Sequence, residues 1–369
     1  MIDLFSGCGG LSLGLKQAGF NVVFASDIEQ VCADTYVKNF GIPKDKFFTG
    51  DINVLIENYG DYKHLFSDID LVCGGPPCQG FSMANRQRMI DDPRNELYRA
   101  FLKFVKLVNP KFFIMENVKG MKNKAAEVAE DFVAVLEEEY SVAYRVINAR
   151  NFGVPQNRER LFLIGNRLGV SSELIFDKIA EPSYPHYNLR DAISDLPSLG
   201  RNVHKNNTSI ENDVVGYRKV KYNYEHTQFR SYINNNRQVE YLYNHRNRYN
   251  NERDVQIFSL LPQGENSLHE SIAHIMPYTS RNHIFKDKYY KLKYDDVSKT
   301  ITAHMKHDCN MYIHPEQARG LSPREAARVQ TFPDDFVFCG APNSWYMQIG
   351  NAVPVKLAEA IGIGVIEWL

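Results

Sequence analysis

At 369 residues, with 44% apolar and 24% charged side chains, the chain is long enough for two globular domains and too apolar for disorder or a collagen-like repeat. Its 43 Lys+Arg against 44 Asp+Glu leave a net charge of −1, so no global basic field points to nucleic acid and any such surface is local. Six cysteines without a C-x-x-C pair, no basic leader and no long apolar run lead to the expectation of a reducing, cytoplasmic setting with no structural zinc and no membrane span.

In chain order, Ile2 to Phe5 reads as a short buried strand. Ser6-Gly7-Cys8-Gly9-Gly10 follows and opens a helix through Leu11, Leu15 and Ala18. Glycines there let a ligand approach the backbone at a helix amino terminus. Val22 to Ala25 is the next strand, and Asp27 stands near its end, 20 residues beyond Gly7, where a ribose-binding carboxylate would stand. Loop and acid together suggest an adenosine-containing cofactor, the alternative being a tight turn with a solvated Asp.

The strand Ile69 to Cys73 runs into Gly74-Gly75-Pro76-Pro77-Cys78. Two prolines stiffen the backbone before Cys78, which makes an accessible, rigidly placed thiol and a candidate nucleophile. Cys73 reads as core. Leu97, Phe101, Phe104, Val105 and Val108 recur at helical spacing behind an Asp92-Pro93 start signal, and Phe112 to Met115 is the strand that follows. That strand delivers Glu116-Asn117-Val118 to the same sheet edge. A carboxyl at the end of a buried strand has its pKa pushed up by desolvation, so Glu116 is a proton-donor candidate, with a capping or ion-paired Glu as the alternative. Gln156-Asn157-Arg158-Glu159-Arg160 precedes the strand Leu161 to Ile164 and, if extended, puts Arg158 and Arg160 on one side and Glu159 on the other. Two adjacent guanidiniums suit an anion or a polar base edge.

Strands alternating with helices predict an α/β fold with a doubly wound, mostly parallel sheet, ligands sitting where loops leave the carboxyl ends of the strands. Residues 201–299 differ from the rest, with 16 Lys+Arg, 11 Asp+Glu, 14 Asn and 11 of the 21 Tyr. This basic, polar-aromatic stretch reads as a separate domain or large insertion. From Pro354 onward a final amphipathic helix is expected. No G-x-S-x-G elbow occurs, and histidines such as His226 and His245 lack ligand spacing.

Taken together, Asp3-Leu4-Phe5-Ser6-Gly7-Cys8-Gly9-Gly10, Gly50-Asp51-Ile52, Gly75-Pro76-Pro77-Cys78-Gln79, Glu116-Asn117-Val118 and Gln156 to Arg160 resemble the ordered motifs of the DNA (cytosine-5) methyltransferase family of bacterial restriction-modification systems. Leu321 to Arg328 and Gln348 to Pro354 look like its last two motifs. The resemblance implies a Rossmann-like, S-adenosylmethionine-dependent methyltransferase fold with a smaller target-recognition domain. It implies a division into 1–182 plus 340–369 for catalysis and cofactor, and 183–339 for target recognition.

By the same resemblance S-adenosylmethionine would lie among Phe5, Gly7, Gly9, Gly10, Leu11, Asp27, Ile28, Asp51, Ile52, Pro77, Leu97, Asn351 and Ala352. Asp27 stands where the family more often has Glu. Cys78 would attack carbon 6 of a flipped-out cytosine, Glu116 would share a proton with ring nitrogen 3, and Arg158 and Arg160 would hold the base oxygen or a phosphate. The loop Gln79 to Asp92 is expected to close over the base. The partner would be double-stranded DNA, bound by a monomer, without metal or membrane, and Arg246 and Arg248 are expected among the phosphate contacts. An RNA (tRNA) cytosine-5 methyltransferase is the nearest alternative; that branch carries Cys-Phe-Thr, whereas here Cys309 precedes Asn310 and Cys339 precedes Gly340. A Rossmann oxidoreductase would leave Pro-Pro-Cys without a role, and a non-catalytic DNA binder would have no need of Cys78 and Glu116.

Overall fold

The computed structural model describes residues 1–77, 97–137, 139–205, 209–222, 226–276 and 288–369. Cys78, the loop to Asp92 and the Asp92-Pro93 start signal lie outside the described residues. The chain forms two compact units, one of Met1–Phe152, Arg158–Pro185 and Val353–Leu369, the other of Gly153–Asn157 and His186–Ala352. Helix Pro342–Asn351, assigned from the sequence to the catalytic part, packs within the second unit against the turn Ala303–Lys306. The contact is close because Gly350 lacks a side chain: a Cβ there would lie 2.2 Å from the Ala303 nitrogen.

The first unit is built on seven strands: β1 (Ile2–Leu4), β2 (Phe24–Asp27), β3 (Phe47–Thr49), β4 (Leu71–Gly74), β5 (Phe112–Val118), β6 (Ser141–Asn148) and β7 (Glu159–Asn166). Their order in the sheet is β3-β2-β1-β4-β5-β7-β6. Strands β1 to β5 pair in parallel, while β7 runs antiparallel to both β5 and β6. The sequence reading lacks β3 and β6, for physical reasons. β3 has three residues, and β6 shows the burial of an edge, with only Ala143 and Ile147 inside. The sheet order reverses between β1 and β4, the place where a doubly wound sheet opens a crevice at its carboxyl edge.

Helix Leu97–Val108 lays Phe101 and Phe104 on the sheet, where they meet Phe132 and Phe66 edge to face or tilted. The C-terminal helix, Val355–Ile366, packs on helix Gly10–Gln17 at Gly14, where a Cβ would come within 2.5 Å of the Ala358 Cβ. The stretch Pro342–Ile366 has the length and hydropathy of a membrane span, yet 78% of its most apolar window is buried, and the backbone leaves helical geometry at 352–354.

In the second unit, β8 (Gly216–Lys221) and β9 (Tyr241–Arg246) form an antiparallel ribbon. Beside it stands helix Pro323–Val329, all seven residues buried. Ser322 and Glu325 close a capping box on it, and Arg319 clamps the Glu325 carboxylate with bonds of 2.7 and 2.6 Å. Arg324 donates to the carbonyls of Tyr243, Pro333 and Phe336. Arg328 donates to both carboxylate oxygens of Asp334, at 2.8 and 3.0 Å, to Asp195, and to the Tyr222 hydroxyl at 2.8 Å. His245 is a satisfied core histidine between Ser322 and the Pro197 carbonyl, and burial pulls its pKa down to about 4. Arg248, expected at a phosphate, spends its guanidinium on the carbonyls of Met305 and His307 at 2.7 and 2.9 Å.

Removing one partner of a buried ion pair strands the other charge, at about 3–5 kcal/mol. Arg328→Met should therefore lower the urea midpoint, by a shift that corresponds to that loss of unfolding free energy. The exposed pair Arg201–Glu252, 2.7 Å apart, should lose less than about 1 kcal/mol in Arg201→Met. Equal midpoint shifts in the two variants would show that burial does not distinguish these pairs.

Candidate active site

The turn after β1 is shaped by backbone conformations that favour glycine. Gly7 and Gly9 have φ of 53° and 93°. A Cβ at Gly9 would strike the Phe40 ring at 2.5 Å, whereas one at Gly7 would meet nothing within 4 Å. The space at Gly7 is therefore open while Gly9 is locked against the fold. Asp27, at the end of β2, holds this loop: the Gly7 N–H donates to its Oδ2 at 2.7 Å and the Glu29 N–H to its Oδ1 at 2.9 Å. Burial raises the Asp27 pKa, and those two backbone bonds oppose the rise. Phe5 is half-buried against the core, Gly10 and Leu11 begin the helix, and Ile28 is 69% exposed beside Asp27.

Asp51 caps the helix Ile52–Glu57 by accepting from the Asn53 N–H at 2.8 Å. The Gly50 N–H donates to the Asp27 carbonyl, so Asp27 and Asp51 leave the same sheet edge. Ile52 sits in the hydrophobic core, and Leu97 packs against it. Asn351 ends the helix Pro342–Asn351 of the second unit with its side chain exposed, and Ala352 is buried next to it. There the Gln330 amide donates to the carbonyls of Ile349 and Ala352 at 2.7 and 3.0 Å, and accepts from Gln156 at 2.6 Å.

Glu116 near the end of β5 lies 3.0 Å from Nε of Arg160, with side-chain exposures of 12% and 14%. The pairing register explains the contact: β7 sets Arg160 opposite Val118 and Phe162 opposite Glu116, which makes Arg160 and Glu116 diagonal neighbours. Arg158 is buried and also acts on Glu116, while Glu159 points elsewhere and pairs with Lys119 at 2.7 Å. Desolvation raises the Glu116 pKa, and Arg160 and then Arg158 pull it back.

Over this pair runs the segment leading towards Cys78. A Cβ on Gly75 would come within 3.1 Å of Glu116 Oε2. The Asn117 amide donates to the Pro76 carbonyl at 3.0 Å, and Pro77 is exposed. Asn117 had no role in the sequence reading beyond its motif; its only signal was an amide next to the acid at a strand end.

A second group escaped that reading. Asp3 in β1 accepts from Ser12 Oγ at 2.6 Å, Ser12 accepts from the Tyr36 hydroxyl at 2.6 Å, and burial pushes the Asp3 carboxyl up to about 7. A charged residue inside an apolar strand was the available signal. Of the cysteines described, Cys8, Cys32, Cys73 and Cys309 are buried, with thiol pKa values raised by desolvation, and Cys339 is partly exposed. A buried, protonated thiol is a poor nucleophile.

The Glu116 pKa lies above its unfolded value, so this carboxyl adds stability below the ordinary carboxylate range and loses that contribution as pH rises through the raised value. Glu116→Gln should abolish this part of the pH dependence of folding. Arg160→Leu removes the larger opposing charge and should move the Glu116 pKa further up, read by carbon-13 NMR titration. A pKa that stays put in Arg160→Leu would mean that the ion pair does not hold it.

The C-5 cytosine-specific DNA methylase family model matches residues 1–367. The chain is 34% identical over 375 residues to the type II methyltransferase M1.HphI of Haemophilus parahaemolyticus, spanning 99% of this chain and 86% of that protein. It is 35% identical over 387 residues to the type II methyltransferase M.DdeI of Desulfomicrobium norvegicum, spanning 98% and 87%. Among solved structures, one described as a DNA modification methyltransferase encoded within an E. coli prophage superposes with a TM-score of 0.71 at 27% identity, covering 99% of this chain and 98% of that one. The S. pombe Dnmt2 methyltransferase shares the fold, with a TM-score of 0.58 at 16% identity over 99% and 97% of the two chains. A family match across nearly the whole length, on a sheet that brings an acid, an arginine and a glycine loop to its carboxyl edge, identifies the chain as a member of the C-5 cytosine-specific DNA methylase family.

Proposed function

We propose that the protein methylates carbon 5 of cytosine within a specific sequence of duplex DNA, through a covalent adduct with Cys78. The observation that carries this reading is the course of Gly75-Pro76-Pro77 over the Glu116–Arg160 pair, held by the Asn117 amide. Carbon 5 of cytosine is a weak nucleophile. Addition of the Cys78 thiolate to carbon 6, with a proton passed from Glu116 to ring nitrogen 3, gives an enamine in which carbon 5 is nucleophilic. A carboxyl whose pKa is raised by burial suits that transfer. Arg160 keeps Glu116 in place, and Arg158 and Arg160 together offer donors to the base oxygen or a neighbouring phosphate. Once carbon 5 carries the methyl group, loss of its proton, expulsion of the thiolate and return of the nitrogen 3 proton to Glu116 restore the aromatic ring. The base must leave the duplex for this, at a cost of a few kcal/mol.

S-adenosylmethionine, when bound, supplies an electrophilic methyl group. The open space at Gly7 and the carboxylate of Asp27 fit such a ligand, with Phe5, Gly9, Gly10, Leu11, Ile28, Asp51, Ile52, Pro77, Leu97, Asn351 and Ala352 as the other proposed contacts. The basic stretch 201–299 would supply target recognition, and the enzyme would act on DNA in the cytoplasm, as a monomer. The two relatives named above, both over 30% identical, are type II methyltransferases, which favours DNA over RNA.

DNA carrying 5-fluorocytosine at the target should trap the wild-type protein in an adduct that survives denaturing electrophoresis, because fluorine cannot leave as the proton does. Cys78→Ala should form none. Glu116→Gln should bind cofactor normally and methylate about 10²–10⁴-fold more slowly. An adduct with Cys78→Ala would move the nucleophile elsewhere, and methylation at the wild-type rate by Glu116→Gln would remove its role as acid.

A further inference from the structure

The second unit holds a pocket of about 240 Å³ that the reaction above does not use, lined among others by His204, Lys205, Arg246, Arg248, Asn343 and Tyr346. Three of its ten lining residues, Lys205, Arg246 and Arg248, carry a positive charge, and none of the ten is acidic. In a chain of net charge −1 that lining is selective for an anion. Arg246, at the end of β9, is only 4% exposed and still lines the pocket, with Glu211 acting on it as an opposing charge and Arg218 as a like one. Such a charge acts more strongly on an anion than one on the open surface.

The walls are held by other bonds. The Asn202 amide donates to the Asn247 carbonyl at 3.1 Å, and the Asn247 amide to the Gly200 carbonyl at 2.7 Å. The guanidinium of Arg248 is fixed by the Met305 and His307 carbonyls. Lys205 is exposed at the rim. Helix Pro342–Asn351 begins here, and its Ala341 cap offers no side-chain acceptor, so the positive end of the helix dipole adds to the same field. The volume falls below the roughly 300 Å³ at which small-molecule sites begin. That favours one anionic group of a chain passing over the pocket, not an enclosed ligand.

We propose that this pocket, with Lys205 and Arg246 as its cationic arms, seats one backbone phosphate of the duplex that the enzyme methylates. The inference rests on the reading that the substrate is DNA. A phosphate held there sets the position of the second unit along the duplex and carries no sequence information.

The test is equilibrium binding of the full-length protein to a duplex with its target site and to an unrelated duplex, over a range of salt. Each phosphate contact contributes about −0.9 to the slope of log affinity against log salt, and so about eightfold in affinity at 0.1 M. Lys205→Gln and Arg246→Gln should each make the slope shallower by about that amount and weaken both duplexes alike, with cofactor affinity unchanged. A scan of the duplex with single neutral methylphosphonates should find one position that costs the wild type about eightfold and costs the two variants nothing more. If Arg246→Gln does not fold, Lys205→Gln, at an exposed position, carries the measurement alone. A wild-type slope in Lys205→Gln overturns the proposal. So does a variant that changes the preference between the two duplexes, since that marks base reading, or inorganic phosphate that binds the wild type and not Lys205→Gln without displacing DNA, since that marks a free-anion site. If the wild type neither binds nor methylates any duplex, the underlying reading of the substrate fails, and that outcome is distinct from the others.

Discussion

The reversal of one strand is the constraint on which the site depends. β5 ends at the carboxyl edge of the parallel strands and delivers Glu116 there. β7 runs the other way, so its first residues, not its last, reach that edge. Arg160 sits at the start of β7 and therefore meets Glu116 across the ladder; had β7 run parallel to β5, the same arginine would have stood at the opposite edge, several strand residues of about 3.3 Å each away. The ion pair, and the pull of Arg160 against the burial-raised pKa of Glu116, follow from that direction.

Buried charge serves two ends in this chain. At the sheet edge, Glu116 and Arg160 are desolvated but each keeps bonding capacity, which suits groups that must also meet a substrate. In helix Pro323–Val329 the arginines are bonded at every nitrogen, Arg328 to two carboxylates and a hydroxyl and Arg324 to three carbonyls. A buried guanidinium with every nitrogen engaged is scaffold, because moving it would leave several polar groups without partners. The same side-chain type is thus placed for chemistry in one unit and for architecture in the other, and the number of committed donors separates the two.

Much of the framework was legible in the amino-acid order. Continuous apolar runs marked β1, β2, β4, β5 and β7, because strands buried on both faces need no alternation. The glycine turn and Asp27 were legible because positive φ and a carboxylate at a strand end leave local signatures. β3 and β6 were not, one being too short to show a period and the other too exposed to show an apolar run. The bonding of Arg248 was not legible either. Its commitment to the carbonyls of Met305 and His307 joins positions more than 50 residues apart, and no local pattern announces such a bond.

What the sequence determined by itself was therefore local: which segments are buried, where the backbone needs glycine, and which chemistry-bearing side chains stand at strand ends. The motifs, in their order, also placed the chain in its family. Tertiary structure alone decided strand direction and partnership. An apolar run such as Leu161 to Ile164 reads the same whether its strand is parallel or antiparallel, since the side-chain period of two has no polarity; only the connections and the packing of β7 between β5 and β6 set its direction, and with it the meeting of Glu116 and Arg160.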